Sequence, residues 1–315
     1  MKISPIMPIE AAWNRMVQVL FKPFDIGKWF ALGFCAFLAQ CGQAGGHGAG
    51  IPNESNGNAG DFNDDKVKLW IEQNLELVIG IGIALALVII GISLLAIWLN
   101  SRGKFMLIDG IVKNRGAVVE PWREYRAEGN SLFKFKVVIS LLALFIFVIL
   151  AGIPTLIAIP DMRAETFGSA AIVAIVLGSL FLIVFILASA AIQFFIGCFV
   201  TPTMYLRRVG AMKASSIAWN TLVRNHLSSS VLFGLMLLLL GIGASTVALL
   251  ATCLTCCMAA LPYIGTVILL PIPVFFTAYA LKYLEQFGSE WTFFPADGEC
   301  DSPGHQPTEE LNGSA

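Results

Sequence analysis

Charged side chains are scarce in this chain of 315 residues: they make up 13% of it, whereas 57% of the residues are hydrophobic. Soluble globular domains contain about 25% charged and about 45–50% apolar residues, so this composition excludes an ordinary water-soluble domain. The net charge is −1, which leaves no basic face for nucleic acid. We therefore expect no nucleic-acid partner.

The chain also lacks the motifs of common catalytic sites, such as HExxH, GxSxG or a P-loop. No Asp, Glu, Lys, Arg or His stands at the centre of a long hydrophobic run, and catalysis or proton transfer within a membrane needs such groups. The seven cysteines are scattered, mostly in apolar segments, so they form no secreted disulfide framework. The N-terminus lacks a basic n-region, so we expect no cleaved signal peptide. We expect no enzyme activity and no cofactor.

Long hydrophobic runs are abundant, and several exceed the roughly 18 residues typical of a spanning helix. We predict an all-α, polytopic membrane helix bundle over residues 1–286, followed by a disordered, acidic tail at 287–315. Six transmembrane helices in three hairpins are expected, at 26–41, 75–99, 137–159, 170–201, 230–252 and 263–284. The first run extends only about 24 Å against a hydrocarbon core of about 30 Å, so a re-entrant hairpin is the alternative there.

One polar segment separates the second and third runs, and we call Asn100–Lys136 the polar island. It holds eight of the twenty basic residues. Short Lys- and Arg-rich loops stay cytoplasmic. The six-span layout places seventeen bases inside and three outside, with Gly42–Lys66 as an outer loop. We therefore predict a multi-pass protein of the plasma membrane, in a bacterium the inner membrane, with both termini cytoplasmic.

Amphipathic segments are predicted on the cytoplasmic side. Pro8–Lys22 alternates apolar and polar faces with helical periodicity, which is typical of a helix lying in the membrane interface. Trp13, Trp122 and Trp219 each stand in such a segment before an outward run. This recurrence suggests three copies of an interfacial helix plus a hairpin.

The polar island interleaves bases with carboxylates and apolar residues, so we predict one or two helices against the inner leaflet, with Pro121 opening the second. Its predicted interaction surface consists of Arg115, Trp122, Arg123 and Arg126. Anionic lipid head groups, a membrane-protein partner or a second copy are the expected partners. The alternative is that these charges only fix the topology.

A second, weaker candidate site lies at mid-depth. Pro271 and Pro273 interrupt the sixth run, and Gln193 is the main deeply placed polar side chain. Broken helices often line transport sites, so an uncoupled transporter or permease is the alternative to a non-enzymatic scaffold or binding component. Proline kinks without a binding site are commoner.

Three further patterns favour structural roles. Ala170, Ala174 and Gly178 recur every four residues, which predicts a close helix contact. Asp61–Glu72 only partly matches a calcium loop, and its acidic residues suit a helix cap. The group Cys253-x-x-Cys256-Cys257 suits small filler residues between helices.

The opening LFKPFDIGKWFALGF, the tryptophan-bearing inner helices and the six-span plan together resemble uncharacterised bacterial integral-membrane domains. Those domains are similar to the membrane portion attached to some glycerophosphodiester phosphodiesterases. The resemblance reaches to about Gln286. A barrel for that chemistry would need about 250 further residues, so the resemblance implies topology and no activity.

Overall fold

The computed structural model describes residues 3–41, 73–163, 168–255 and 261–294, and within those ranges every regular element is helical. This confirms the all-α part of the prediction. The helices are α1 (Met7–Phe21), α2 (Ile26–Gln40), α3 (Leu75–Val112), α4 (Val119–Glu124), α5 (Arg126–Arg163), α6 (Ser169–Phe195), α7 (Thr201–Arg207), α8 (Ala211–Ile217), α9 (Leu227–Leu254), α10 (Pro262–Ile268) and α11 (Pro271–Glu285). A π-helical turn at Ile196–Val200 joins α6 to α7, and another at Ala218–Val223 follows α8.

Four helices in this part of the chain are long and apolar enough to cross a membrane: Leu75–Val112, Arg126–Asp161, Ser169–Arg207 and Ala211–Leu254. A helix of 36 residues extends about 54 Å, well beyond a hydrocarbon core of about 30 Å. At most 11% of the most apolar stretch of each helix is buried within the protein. Because only lipid offers such surfaces an apolar environment, the four helices indicate that the protein is embedded in a membrane.

The long helices contain the predicted spans 75–99, 137–159, 170–201 and 230–252. The other two predicted spans fall on shorter helices. Residues 26–41 correspond to α2, and residues 263–284 to α10 and α11, which are separated by a break at Leu269–Leu270. Helix length alone therefore supports four crossings.

The buried residues gather at one end of the molecule, which we call the basal core. It is built around Leu32, Phe105, Phe199, Phe233 and Tyr283, all with at most 1% of their surface exposed. The ends of the four long helices meet α1, α2 and α11 there. The basal core thus brings together segments from the whole length of the chain.

The short helix α2 packs against the part of α3 that belongs to the polar island. A methyl group added to Gly103 would lie under 3.0 Å from the backbone of Ala39, and one added to Gly110 under 3.0 Å from Leu32. Gly103 meets Ala39, and Gly110, further along α3, meets Leu32, which comes earlier in α2; the two helices are therefore antiparallel. Glycines permit this close approach, and α2 therefore lies beside the polar island rather than beside the apolar run of α3.

The helix α1 packs against the basal core, a contact that the sequence did not predict, and its place in the membrane interface stays a prediction. The Trp13 ring meets Phe275 of α11 edge-on, with 6.3 Å between the ring centroids. The Arg15 guanidinium donates to the carbonyls of Ile111 and Val112 at 2.9–3.2 Å. Carbonyls at a helix C-terminus lack hydrogen-bond donors within the helix. Arg15 provides those donors and thereby fixes α1 to α3.

The polar island is helical as expected, but its first half does not lie on the inner leaflet. Asn100–Val112 continues α3, and Asp109 is fully buried. The apolar side chains interleaved with its charges face the protein. Pro121 lies in the first turn of α4, close to its predicted place.

The predicted disordered tail at 287–315 needs a correction, because its first residues are folded onto the protein. After a turn at Gly288 (φ 129°), Trp291, Phe293 and Phe294 are buried. The amides of Phe293 and Phe294 both donate to the Glu285 carboxylate at 3.1 Å. Three aromatic side chains thus bring this segment onto the basal core. Residues 295–315 and Gly42–Lys66 lie outside the described residues.

The small-residue face predicted on the fourth span is found in a contact between α5 and α6. Ala174 is buried, and a methyl group added to Gly178 would lie 3.5 Å from Cβ of Pro154. This is ordinary van der Waals distance, which leaves no space for a larger side chain. The predicted helix contact is confirmed at these two positions.

Candidate functional site

The most strongly charged site of the basal core surrounds Asp109, which has no exposed side-chain surface. Arg115 donates from Nε and Nη2 to Asp109 Oδ2 at 3.0 and 2.9 Å. Lys113 Nζ lies 2.8 Å from Oδ1, and the Tyr125 and Tyr205 hydroxyls donate to Oδ1 at 3.2 and 3.3 Å. We call these five residues the Asp109 cluster. It joins α3, the turn after it, the end of α4 and α7.

A second set of charges surrounds the Asp109 cluster. Glu124 accepts from Lys113 at 3.4 Å and from Arg208. The Arg208 guanidinium lies 3.9 Å from the centroid of the Tyr125 ring and 3.6 Å from the Glu128 carboxylate. The backbone of Arg208 has φ 52°, a left-handed conformation that is uncommon for residues other than glycine and asparagine. Arg208 caps the C-terminus of α7 in this conformation, and its backbone amide donates to the Met204 carbonyl at 3.0 Å.

The protonation of these groups follows from their contacts. Burial alone would raise the pKa of Glu124, but the hydrogen bond from Arg208 and the charge of Lys113 outweigh it and lower that pKa. Burial would lower the pKa of Arg115 and of Lys113, yet Asp109 raises both. Burial, together with the negative charge of Asp109, raises the pKa of Tyr125, so the phenol keeps its proton. The site therefore holds opposite charges in a balanced network.

This arrangement can hold segments together but offers little chemistry. Every Asp109 oxygen is already engaged by a cation or a hydroxyl, so the carboxylate is not available as a base or nucleophile. In the part of the chain that the structure describes, no group of three or more His, Cys, Asp or Glu could hold a metal ion. Cys253 is exposed, and Cys256, Cys257 and the calcium-like Asp61–Glu72 segment lie outside the described residues.

A second cluster, which we call the Arg102 cluster, lies on α3 next to its apolar run. The Arg102 guanidinium lies 4.7 Å from the ring centroids of both Trp98 and Trp122. Asn130 accepts from Arg102 at 3.1 Å and from the Trp98 indole at 3.3 Å. Cation–π contacts of this kind stabilise partly desolvated cations.

The structure divides the predicted interaction surface. Arg115 belongs to the Asp109 cluster, and Trp122 belongs to the Arg102 cluster, so both are used within the protein. Arg123 and Arg126 are exposed, and neither forms an ion pair with another described residue. Two of the four predicted residues thus remain accessible to a partner.

The predicted mid-depth residues are placed separately. Gln193 is exposed on α6, whereas Pro271 and Pro273 stand half-buried in the first turn of α11. The break between α10 and α11 lies just before these prolines, as their sequence predicts. Three surface clefts are found within the described ranges, and Gln193, Pro271 and Pro273 line none of them.

Sequence reading missed two basic residues that the fold turns inwards. Lys136 is buried and donates to Asn100 Oδ1 at 2.5 Å, while Asn100 donates to the Ala39 carbonyl. Lys104 extends towards the π-helical turn, where its Nζ would lie 3.7 Å from a methyl group on Gly197. In the sequence both lysines are simply two of the eight bases of the polar island, and nothing there distinguishes them from the exposed ones.

Comparison with known families provides the remaining observation. The model of a family described as a family of unknown function (DUF7544) matches residues 3–281, which cover the four long helices and most of the basal core. The chain belongs to this family. No curated protein and no solved structure matches the chain. The description of DUF7544 names no activity, and the resemblance to phosphodiesterase-associated membrane domains stays a prediction.

Proposed function

We propose that this DUF7544 protein is a non-enzymatic scaffold of the plasma membrane, which in a bacterium is the inner membrane. Its basal core lies on the cytoplasmic side and presents Arg123 and Arg126 to an acidic membrane-protein partner. One observation carries the proposal. Arg123 and Arg126 are exposed without an ion partner among the described residues, whereas Arg115 and Arg208 nearby are neutralised by carboxylates.

Rigidity supports this reading. Arg123 lies on α4 and Arg126 at the start of α5, and Tyr125 between them is fixed by Asp109, by Arg208 and by stacking on Phe105 with 5.9 Å between centroids. Guanidinium groups held on a fixed base are suited to planar carboxylate recognition, because less side-chain freedom is lost on binding.

Photo-crosslinking in intact cells tests the surface. A photo-reactive amino acid in place of the exposed Ala127 should give a discrete protein adduct, and Arg123→Gln with Arg126→Gln should remove it. Arg224→Gln is the matched control, since Arg224 is also exposed and has no ion partner among the described residues. An adduct that survives the double substitution, or none at all, would contradict the proposal.

The same proposal includes six crossings with both termini cytoplasmic. Segments that contact each other at the basal core lie on the same side of the membrane, so these contacts limit how many times the chain crosses between them. α1 contacts the end of α3 through Arg15, so the N-terminal segment and this end lie on one side. α3 reaches the opposite side of the membrane at Leu75, so the chain must cross an odd number of times between α1 and Leu75. α2, which lies beside the polar island, accounts only for the part of that path next to the basal core. α9 leaves the basal core and ends at Leu254, whereas α11 returns to α1, so another crossing is needed there.

Cysteine accessibility tests the topology. A cysteine at Ser55 should react with an impermeant maleimide added to intact cells, and one at Ser289 should react only after the membrane is opened. Labelling at 289 from outside, or none at 55, would overturn the proposed orientation.

We prefer the scaffold to the transporter that Gln193, Pro271 and Pro273 suggest from sequence. The two prolines begin a helix in the described structure, and Gln193 is exposed on a different helix. Uptake of a labelled solute that depends on Gln193 would favour the transporter.

A further inference from the structure

A cleft of about 640 Å³ lies between the start of α5 and the segment that joins α7 to α8. Its walls include Ser131, Lys134 and Val138 from α5, Gly210 from the joining segment, and Met212 and Lys213 from the first turn of α8. It stands on the basal core at the point where α5 enters its apolar run. The cleft does not include Arg123 or Arg126, so it is a separate site from the proposed protein surface.

One end of the cleft is cationic. Lys134 and Lys213 are both exposed, and neither forms an ion pair with a described residue. The third base there, Arg208, is already paired with Glu124 and Glu128. Two free ammonium groups therefore face the cleft without a neutralising carboxylate in the described structure.

The Ser131 hydroxyl adds a directed donor to the lining of the cleft. Ser131 Oγ accepts a hydrogen bond from the Ala211 amide at 3.0 Å, which fixes the position of that oxygen. Its own hydrogen stays available, because no acceptor for it is found among the described residues. The close approach of Gly210, where a methyl group would lie 3.3 Å from Ser131 Oγ, keeps this side of the cleft narrow.

The other end of the cleft is apolar and continues into the membrane-facing surface. Val138 and Met212 have 62% and 78% of their surface exposed, and Leu141 follows one turn along α5 with 61% exposed. A phosphate ion would use only the cationic end. A phospholipid has a phosphate and an acyl chain in the same order as the two ends of this cleft.

We propose that the cleft binds one anionic phospholipid, with the phosphate between Lys134 and Lys213 and an acyl chain along Val138 and Ile139. Basic pockets between membrane helices on the cytoplasmic side bind acidic head groups in this manner. The inference needs the basal core to be cytoplasmic, but it does not depend on a protein partner.

Native mass spectrometry of the purified full chain in detergent tests the proposal. Phosphatidylglycerol should bind more tightly than phosphatidylcholine with identical acyl chains. Lys134→Gln and Lys213→Gln should each weaken phosphatidylglycerol binding about fivefold, since each base near an anionic surface contributes about that factor. Arg224→Gln, which removes an exposed base elsewhere, should leave it unchanged.

Two further arms separate the possible ligands. Val138→Asn should weaken phosphatidylglycerol binding while both lysines remain. Glycerol phosphate, the soluble form of the head group, should compete poorly; competition equal to the lipid would assign the cleft to a free phosphate compound. Equal binding of the two lipids, or full retention in the double lysine variant, would overturn the proposal. Lys134 and Lys213 are exposed, so their loss should not affect folding, and an unchanged melting temperature confirms this.

Discussion

Gly103 of α3 lies directly against the backbone nitrogen of Ala39 in α2, so closely that a methyl group on Gly103 would fall under 3.0 Å from it. One turn earlier on α3, the Asn100 amide donates to the Ala39 carbonyl. Lys136 of α5 donates to the other end of that amide. Three helices are thus fixed to one another at a single point, where the apolar run of α3 meets the basal core.

The first prediction concerns that contact. Gly103→Ala should lower the melting temperature of the protein in detergent, because the added methyl group forces the α2 backbone away; such overpacking costs about 1–3 kcal/mol. Gly91→Ala is the control, since a methyl group there meets nothing within 4 Å. Equal melting temperatures for the two variants would contradict the close approach of α2 and α3.

The second prediction concerns Asp109. Asp109→Asn removes the buried charge that Arg115 and Lys113 share, and leaves them only the more exposed carboxylates of Glu120 and Glu124. Removing one partner of a fully buried ion pair costs about 3–5 kcal/mol; both cations retain some exposure, so about 2 kcal/mol is expected. Thermal unfolding followed by circular dichroism measures this loss. Glu120→Gln, at an exposed partner of Arg115, should cost under about 1 kcal/mol.

The third prediction is a dependence of stability on pH. The pKa of Glu124 is lower in the folded protein than its ordinary value, so its contribution to stability is present above that ordinary value. It is lost as the pH falls towards the folded pKa, when the carboxylate gains a proton and releases Arg208 and Lys113. Melting temperatures measured from neutral pH downwards should therefore fall less steeply for Glu124→Gln than for the natural chain. Parallel curves would show that Glu124 is not coupled to folding.

The fourth prediction concerns the α5–α6 contact. Gly178→Leu places a branched side chain where even a methyl group already touches Pro154, so the two helices must separate and the melting temperature should fall. Gly82→Leu on α3 makes the same change at a position with nothing within 4 Å and should have little effect. A stable Gly178 variant would place this helix face in lipid instead.

The sequence by itself determined the helical class, the membrane environment and the approximate limits of the four long spans. These are local properties, because the length of an apolar run and the position of a proline or small residue act on the same helix that carries them. The contact at Ala174 and Gly178 was predictable for this reason. So was the helix break before Pro271.

Only the tertiary structure decided which charges are used within the protein and which remain exposed. Arg115 and Arg123 look alike in sequence, yet only Arg115 forms an ion pair with Asp109. The Asp109 carboxylate also accepts a hydrogen bond from Tyr205, which lies 96 residues further along the chain. Trp122 was predicted to belong to the interaction surface, and only the structure shows that its ring packs on Arg102. The position of α2 beside the polar island was hidden in the same way, because the fit of Gly103 to Ala39 depends on how two distant segments approach. Hydropathy and charge describe what a segment prefers, and the choice among several acceptable partners is made only when the segments pack together.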